Sequence, residues 1–308
     1  MGQRPDGITI ERHGENIHVV TIAGRKNGDI LPILLRGDAH HDNIGCDHKL
    51  ERKHLEQVEK RDGLWLDVGD LFCAMGGKWD TRSQMHHIRP EYRCADNYLD
   101  SLVDHAAEFY APHAHRCIAI GRGNHETAIE RKHHTDLTER LCERLSAASG
   151  VRVQPGGYGG FVVFVFRGIS SPRSAVRHIL HYYHGHGGGG MMTMGTLSIR
   201  REASFIAADT YVSGHIHEQW GNTQMRAEVE FNPSCGYHVV QRRCKHVRVG
   251  TYKDEFGTRS GRGATSYHVE SGRPPKPLGA MWLNLRLERL RSDGENTVTV
   301  VATTEEAH

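Results

Sequence analysis

The sequence has no C-x-x-C pair and no even set of cysteines; its seven stand at positions 46, 73, 94, 117, 142, 235 and 244 of 308. That spacing is unlike a disulfide framework or a thiolate zinc site, and it suits a reducing compartment, so a cytoplasmic protein is expected. No segment approaches the roughly 20 apolar residues that a membrane span needs. The opening MGQRPDGITIERHGEN lacks the apolar stretch of a secretory signal, and Asp6 stands where a myristoylation pattern needs Ser or Thr. Charge of one sign is also missing. Lys and Arg number 39 against 37 Asp and Glu, so a net charge of +2 gives no global attraction for a polyanion, and any anion site must be local. Four consecutive glycines at 187–190 lack the G-x-x-x-x-G-K-[ST] pattern, which excludes a P-loop. They suit close backbone approach to a substrate or plain loop freedom.

What the chain has in excess is histidine, 24 residues, and glycine, 35. Imidazole is the commonest metal ligand, and glycine lets backbone come close to a site, so the pair points toward metal chemistry. Hydrophobic residues at 37% and charged residues at 25% describe a folded chain with much irregular surface. The absence of a 20–50-residue repeat and of a clean linker favours one domain over 1–308. Within it we read an N-terminal hairpin (1–29), a motif-bearing core (30–221) and C-terminal strands (222–308).

Hydrophobic patterning predicts strands that alternate with helices. The segment 8–22 reads as a hairpin around residues 13–16. Strands follow at Ile30–Leu35, Leu64–Val68, Cys117–Ile120, Phe161–Phe166, Ile179–Tyr183 and Thr210–Val212, with helices over 47–61, 95–109, 126–147 and 191–207. After 222 short β-like pieces are expected, closing with Leu283–Leu287 and Thr297–Val301. This is an α/β pattern. In such sheets ligands gather at the C-terminal ends of the strands, and here those ends carry the polar residues.

Five strand ends supply Asp38-x-His40, Gly69-Asp70, Gly123-Asn124-His125-Glu126, His184-Gly185-His186 and Gly214-His215-x-His217. Carboxylate, amide and imidazole without thiolate form a hard-to-borderline donor set, suited to manganese, iron, zinc or a similar divalent ion. Residues i and i+2 of an extended segment share a side, so Asp38 with His40, and His215 with His217, can face one pocket. His184 and His186 share a side in the same way. Asp67 reads as a strand-end hydrogen bonder, while His41 and Asp42 read as supports for His40 or as solvated loop.

With these segments, GDAH (37–40), GD (69–70), GNHE (123–126), HGH (184–186) and GHIH (214–217), the sequence resembles the calcineurin-like metallophosphoesterases, motif by motif and in order, over residues 30–217. The resemblance implies a two-sheet β-sandwich flanked by helices (α-β-β-α), with a dinuclear centre at the strand ends. Carried over residue by residue, it gives Asp38, His40 and His217 to one metal and Asn124, His184 and His215 to the other, with Asp70 bridging. His125 becomes the catalytic histidine that stabilises the transition state or protonates the leaving oxygen. Two divalent ions are implied, manganese favoured, with iron, zinc, nickel or magnesium as alternatives. A shared carboxylate screens ions held roughly 3.5–4 Å apart, and a bridging hydroxide attacks phosphorus. Relatives carry a further acidic residue after the second motif, where this chain reads Asp70-Leu71-Phe72-Cys73; Asp80 is the candidate replacement.

Residues 242–276 hold nine Lys or Arg (Arg242, Arg243, Lys245, Arg248, Lys253, Arg259, Arg262, Arg273, Lys276) against Asp254, Glu255 and Glu270, with Tyr252, Phe256 and Tyr267 interleaved. That mixture can hold a nucleic-acid backbone and stack bases. Together with the insert 71–115 it favours a phosphodiesterase acting on nucleic acid or a nucleotide. A phosphomonoesterase on phosphoprotein or a metabolite is the alternative, and a catalytically silent metal-stabilised binding protein is a third reading.

Overall fold

Residues 30–36 are apolar on both sides of the strand they form. Ile33 and Leu35 enter one apolar layer with Leu64, Leu66 and Leu283, while Leu34 points the opposite way toward Leu55, Val58 and Trp65. A strand buried on both faces reads as a continuous apolar run, which explains why ILPILL shows no polar alternation. The computed structural model describes residues 3–308 except 75–86, 94, 170–173, 189, 191, 234–235, 258–266 and 293–294. In it this strand, β3 (Ile30–Arg36), lies inside a six-stranded sheet.

That sheet runs β13 (Glu295–Glu306), β12 (Met281–Ser292), β3, β4 (Leu64–Asp67), β5 (Cys117–Gly121), β6 (Pro155–Gly157). From β3 to β6 the pairing is parallel, while β12 is antiparallel to both its neighbours. The second sheet has seven strands in the order β1 (Ile8–His13), β2 (Ile17–Ile22), β7 (Gly159–Arg167), β8 (Ala175–Tyr183), β9 (Thr210–Ser213), β11 (Gly236–Arg248), β10 (Trp220–Asn232). Between the sheets lies a core of Val20, Ile22, Phe164, Phe166, Leu180, Val212 and Val247 against Ile33, Leu35, Leu66 and Leu285. Helices α1 (His48–Lys60), α3 (Tyr98–Tyr110) and α5 (Leu137–Ser149) cover the outer face of the six-stranded sheet through Leu55, Leu102, Val103, Leu141 and Leu145. A shorter helix, α6 (Thr196–Glu202), covers Tyr211 and Cys244 on the outer face of the other sheet. The layers are therefore helix, sheet, sheet, helix. Short helices α2 (Pro90–Arg93), α4 (Asn124–His133) and α7 (Tyr267–Glu270) complete the set.

Three expectations are corrected. The helix over 126–147 is two helices, because His134 takes a left-handed conformation at φ 51° and ends α4, and Asp136 then caps α5 by accepting from the Glu139 amide. The helix over 191–207 shrinks to Thr196–Glu202. The short β pieces after 222 are long hairpins instead: β10 and β11 pair over thirteen residues each, and β12 and β13 over twelve. Polar residues interrupt these strands, in runs such as Asn222-Thr223-Gln224 and Gln241-Arg242-Arg243, and such interruptions read as strand ends in the sequence. Among the described residues no helix is long and apolar enough to cross a membrane. Cys46, Cys73, Cys117, Cys142 and Cys244 are free and buried.

Candidate metal centre

The parallel neighbours β3, β4 and β5 of one sheet and β8 and β9 of the other end on the same side, and each delivers a polar segment there. Backbone hydrogen bonds tie the segments together: Asp38 N to Gly69 O at 2.9 Å, His40 N to Asp70 O at 3.0 Å, Gly214 N to His184 O at 2.9 Å. Glycine makes the approach feasible. A Cβ on Gly123 would lie 2.0 Å from Asp70 Oδ1, and one on Gly214 would lie 2.3 Å from Asp38 Oδ2. Asp38, His40, Asp70, His215 and His217 all have positive φ, between 46° and 73°. Each such non-glycine residue costs about 1–3 kcal/mol, so the surrounding structure holds these donors against local preference.

Two groups of donors result. In the first, ligand atoms of Asp38, His40 and His217 lie within 4.8 Å of one another; in the second, so do those of Asp70, His184 and His215. Asn124 joins the second group through Oδ1, 3.2 Å from His184 Nε2, which is also 3.2 Å from Asp70 Oδ2. His184 Nδ1 donates to the Val68 carbonyl, which leaves Nε2 turned to the cluster. His186 does not enter it: the residue is exposed and its ring lies 5.9 Å from that of Tyr183. His125 begins α4. Its backbone N–H donates to Asp70 Oδ1 at 2.9 Å, its Nδ1 to the Cys73 carbonyl at 2.6 Å, and its Nε2 lies 3.9 Å from Asp70 Oδ2.

The donor set fits divalent cations. His40 Nδ1 and His215 Nδ1 are buried without a hydrogen-bond partner. Glu255 Oε1, 2.8 Å away, accepts a hydrogen bond from His217 Nδ1. That turns the His217 Nε2 lone pair toward Asp38 Oδ1 at 3.4 Å and His40 Nε2 at 3.3 Å, an arrangement that needs positive charge. In the chain alone a proton would serve. Burial opposes charge on His217, but hydrogen bonds to Asp38 and Glu255 outweigh it and lift the ring to about 9. His184 is likewise lifted to about 9, burial being outweighed by the charge and hydrogen bond of Asp70. Burial would raise Asp70, yet His184 and His125 hold it well below the carboxylate range. Protonated histidines facing ionised carboxylates mark the places where metal ions would replace protons.

Several supports were not assigned by the sequence reading. Glu126 is buried and accepts from the amides of Gly123 and Phe72 at 2.8 Å and of Asp70 at 3.2 Å, tying the second motif to the third. Burial and the Asp70 charge push its carboxyl up to about 8. The signal was legible, since a glutamate three residues past Gly123 is the capping-box position. Asp42, read as a support for His40 or as solvated loop, is buried and accepts from the amides of Cys73 and Ala74, fixing the stretch after Asp70. Glu255 and Lys253, 3.2 Å apart, stand beside His217 and were read only as members of a basic segment. No periodicity announces them; the segment is held because Thr251 Oγ1 and Tyr252 N both donate to the Asp38 carbonyl.

The basic segment is thus not one outward face. Arg248 is buried and donates to the carbonyls of Gly214 at 2.8 Å and Gly195 at 3.1 Å, and Tyr252 is buried against His54. Lys276 pairs with Glu218, and Arg242 with Glu230. Asp67 is a strand-end hydrogen bonder, taking Arg36 Nε and the Gly69 amide, both at 2.9 Å. Burial raises it to about 6 despite the arginine. Asp80, Arg259 and Arg262 lie outside the described residues.

No family model matches the chain, and no curated protein matches it. Among solved structures, the chain is similar to Vps29 from Entamoeba histolytica complexed with zinc, at 13% identity over 88% of this chain and 99% of that one, TM-score 0.32. It is also similar to Vps29 from Chaetomium thermophilum, at 12% identity over 90% and 97%, TM-score 0.34. A conserved uncharacterized protein from Streptococcus pneumoniae, described as a predicted phosphoesterase, is similar at 10% identity over 91% and 99%, TM-score 0.29. In its five motifs, their order and the two-sheet fold that gathers them, the chain resembles the calcineurin-like metallophosphoesterases.

Proposed function

We propose that the protein is a metal-dependent phosphoester hydrolase. The observation that carries this reading is the pair of adjacent donor groups, Asp38, His40, His217 and Asp70, His184, His215, built at four strand ends with strained backbone and buried atoms that lack partners. Asp38, His40 and His217 would hold one ion and Asn124, His184 and His215 the other, with Asp70 between them. Bound divalent ions would supply Lewis acidity toward phosphate oxygens and lower the pKa of a coordinated water.

The chain's own residues do the rest. Glu126 and Asp42 hold the 69–74 stretch by its amides, so Asp70 and the Cys73 carbonyl keep their places. The Cys73 carbonyl orients His125 through Nδ1, so Nε2 is the atom turned to the cluster. In the imidazolium form that nitrogen carries the proton a departing alkoxide needs. Lys253 adds a cation close enough to depress His40, after burial itself, and the phosphoryl group of a substrate is the natural recipient of such charge.

A phosphodiester in nucleic acid or a nucleotide is the proposed substrate class, supported by Arg243, exposed on β11, and by Lys245 next to it. The internal engagement of Arg248, Tyr252 and Lys276 favours the second reading, a phosphomonoester, because it subtracts them from any basic surface. The test is a panel of mono- and diesters, single- and double-stranded nucleic acid, each with manganese, iron, zinc, nickel or magnesium added. Metal-dependent turnover of at least one ester is expected. His125→Asn should slow esters with poor leaving groups by roughly 10²–10⁴ and activated nitrophenyl esters less. Bound metal without turnover on any ester would sink the hydrolase reading in favour of a silent binding protein.

A further inference from the structure

The β10–β11 hairpin carries the core face of its sheet past the point where the second sheet stops covering it. Odd-numbered residues of β11 face inward at its end, where Val247 belongs to the core between the sheets. Val247 pairs with Gly221, and Gly221 lies directly under β13, since a Cβ there would meet Thr304 Oγ1 at 2.4 Å. Beyond that crossing the same face continues without cover. It presents Met225, Val229 and Phe231 from β10 and Tyr237 and Val239 from β11, exposed by 50, 70, 63, 80 and 68%. Register places Val229 opposite Val239 and Phe231 opposite Tyr237, whose rings are 5.1 Å apart, so the five form one continuous strip. The opposite face carries the ion pairs, Arg226 with Glu228 and Arg242 with Glu230 and Glu228. One face is built for water and the other for burial.

We propose that this strip is the dimer interface of the protein, packed face to face on the same strip of a second copy about a two-fold axis. Beyond Met225 the strip is its own complement: Ala227, Gln241, Val229, Val239, Phe231 and Tyr237 carry no charge, and the basic residues of this face, Arg243 opposite Met225 and Lys245 opposite Thr223, lie on the side nearer the core. Strips of two copies can stack as sheets do, about 10 Å apart. Its exposed side chains amount to roughly 500–600 Å² per copy, and with the flanking backbone a symmetric pair reaches the ~1,200 Å² at which stable interfaces begin. A strip of this size stands at the top of the range that monomers expose, where such patches are often functional. The edge strand β10 contains neither Lys nor Pro, its register with β11 runs unbroken, and its own charges, Arg226, Glu228 and Glu230, lie on the opposite face. The tip lies about 40 Å along β11 from the strand ends that form the metal centre, so pairing there leaves the centre open.

Sedimentation velocity and light scattering on the full chain test this. The wild type should run near twice 34.6 kDa at micromolar concentration. Val229→Lys with Val239→Lys should give the monomer mass. Val229→Thr with Val239→Thr keeps β-branched side chains and should weaken association at least tenfold with unchanged circular dichroism and melting, which separates lost pairing from lost folding. Glu230→Gln, on the charged face, should leave the dimer intact. A wild type that stays monomeric at about 100 µM overturns the proposal. So does a dimer that survives both double variants, since its interface would lie elsewhere.

Discussion

The two ends of the seven-stranded sheet break the rule of polar outside and apolar inside in opposite directions. At the strand ends near β8 and β9, carboxylates and imidazoles are buried; Asp38 and His184 have no exposed surface, and some polar atoms lack partners. At the hairpin tip, valines and aromatic rings stand in water. Each violation destabilises the isolated chain, and on the two proposals each would be relieved by adding something: cations at one end, an apolar surface at the other. The difference lies in how rigidly each is built. Glycine contacts, left-handed backbone and amides donated to Asp42 and Glu126 fix the buried end, whereas the tip depends on one hairpin register.

The most disruptive change on that view is Asp70→Ala. Only Asp70 is assigned to both ions, so elemental analysis should fall from about two metals per chain to well under one, and turnover should vanish with it. Two metals retained in the variant would remove the bridging assignment. Glu255→Gln should act more mildly. It weakens the acceptor of the His217 Nδ1 proton while leaving every donor in place, and loss of such a partner usually lowers metal affinity by roughly 10–100-fold. Competition with a chelator measures this directly, and unchanged affinity would mean that Glu255 serves only Lys253.

The smallest effect concerns a buried histidine away from both ends. His18, in β2, is inaccessible to solvent, and both its ring nitrogens lack a partner. Burial, with help from Arg12, lowers it to about 4. A pKa depressed on folding gives stability that is complete above the unfolded value near 6.5 and is lost as pH falls toward 4. His18→Leu should therefore melt much like the wild type at pH 7.5 and be the more stable by about 2 kcal/mol at pH 5. Equal acid sensitivity of the two proteins would show that His18 is not the group being charged.

How much of this was legible in the sequence follows from what each feature depends on. That residues 38, 40, 70, 124, 184, 215 and 217 gather in one place was readable because each sits beside a glycine or at i+2 on a strand that ends there, and local chemistry determines both. The break at His134 was missed because histidine is not a helix breaker, although Asp136 two residues on caps a new helix. Glu255 and Lys253 were hidden among nearby cations, and only the clamp of Thr251 and Tyr252 on the Asp38 carbonyl brings them to the site. The inward turn of Arg248 depends on carbonyls of Gly195 and Gly214, 53 and 34 residues away in the chain, which no local pattern encodes.

The left-handed backbone at Asp38, His40, Asp70, His215 and His217 sets the chain's working residues against its own fold. Glycine at any of these positions would relax the backbone and delete a donor in the same step. A library of this protein screened only for heat resistance would therefore drift toward glycine there and lose the centre without losing the sandwich. A screen that includes metal retention would keep the strained residues, and the gap between the two selected populations would measure what the site costs the fold.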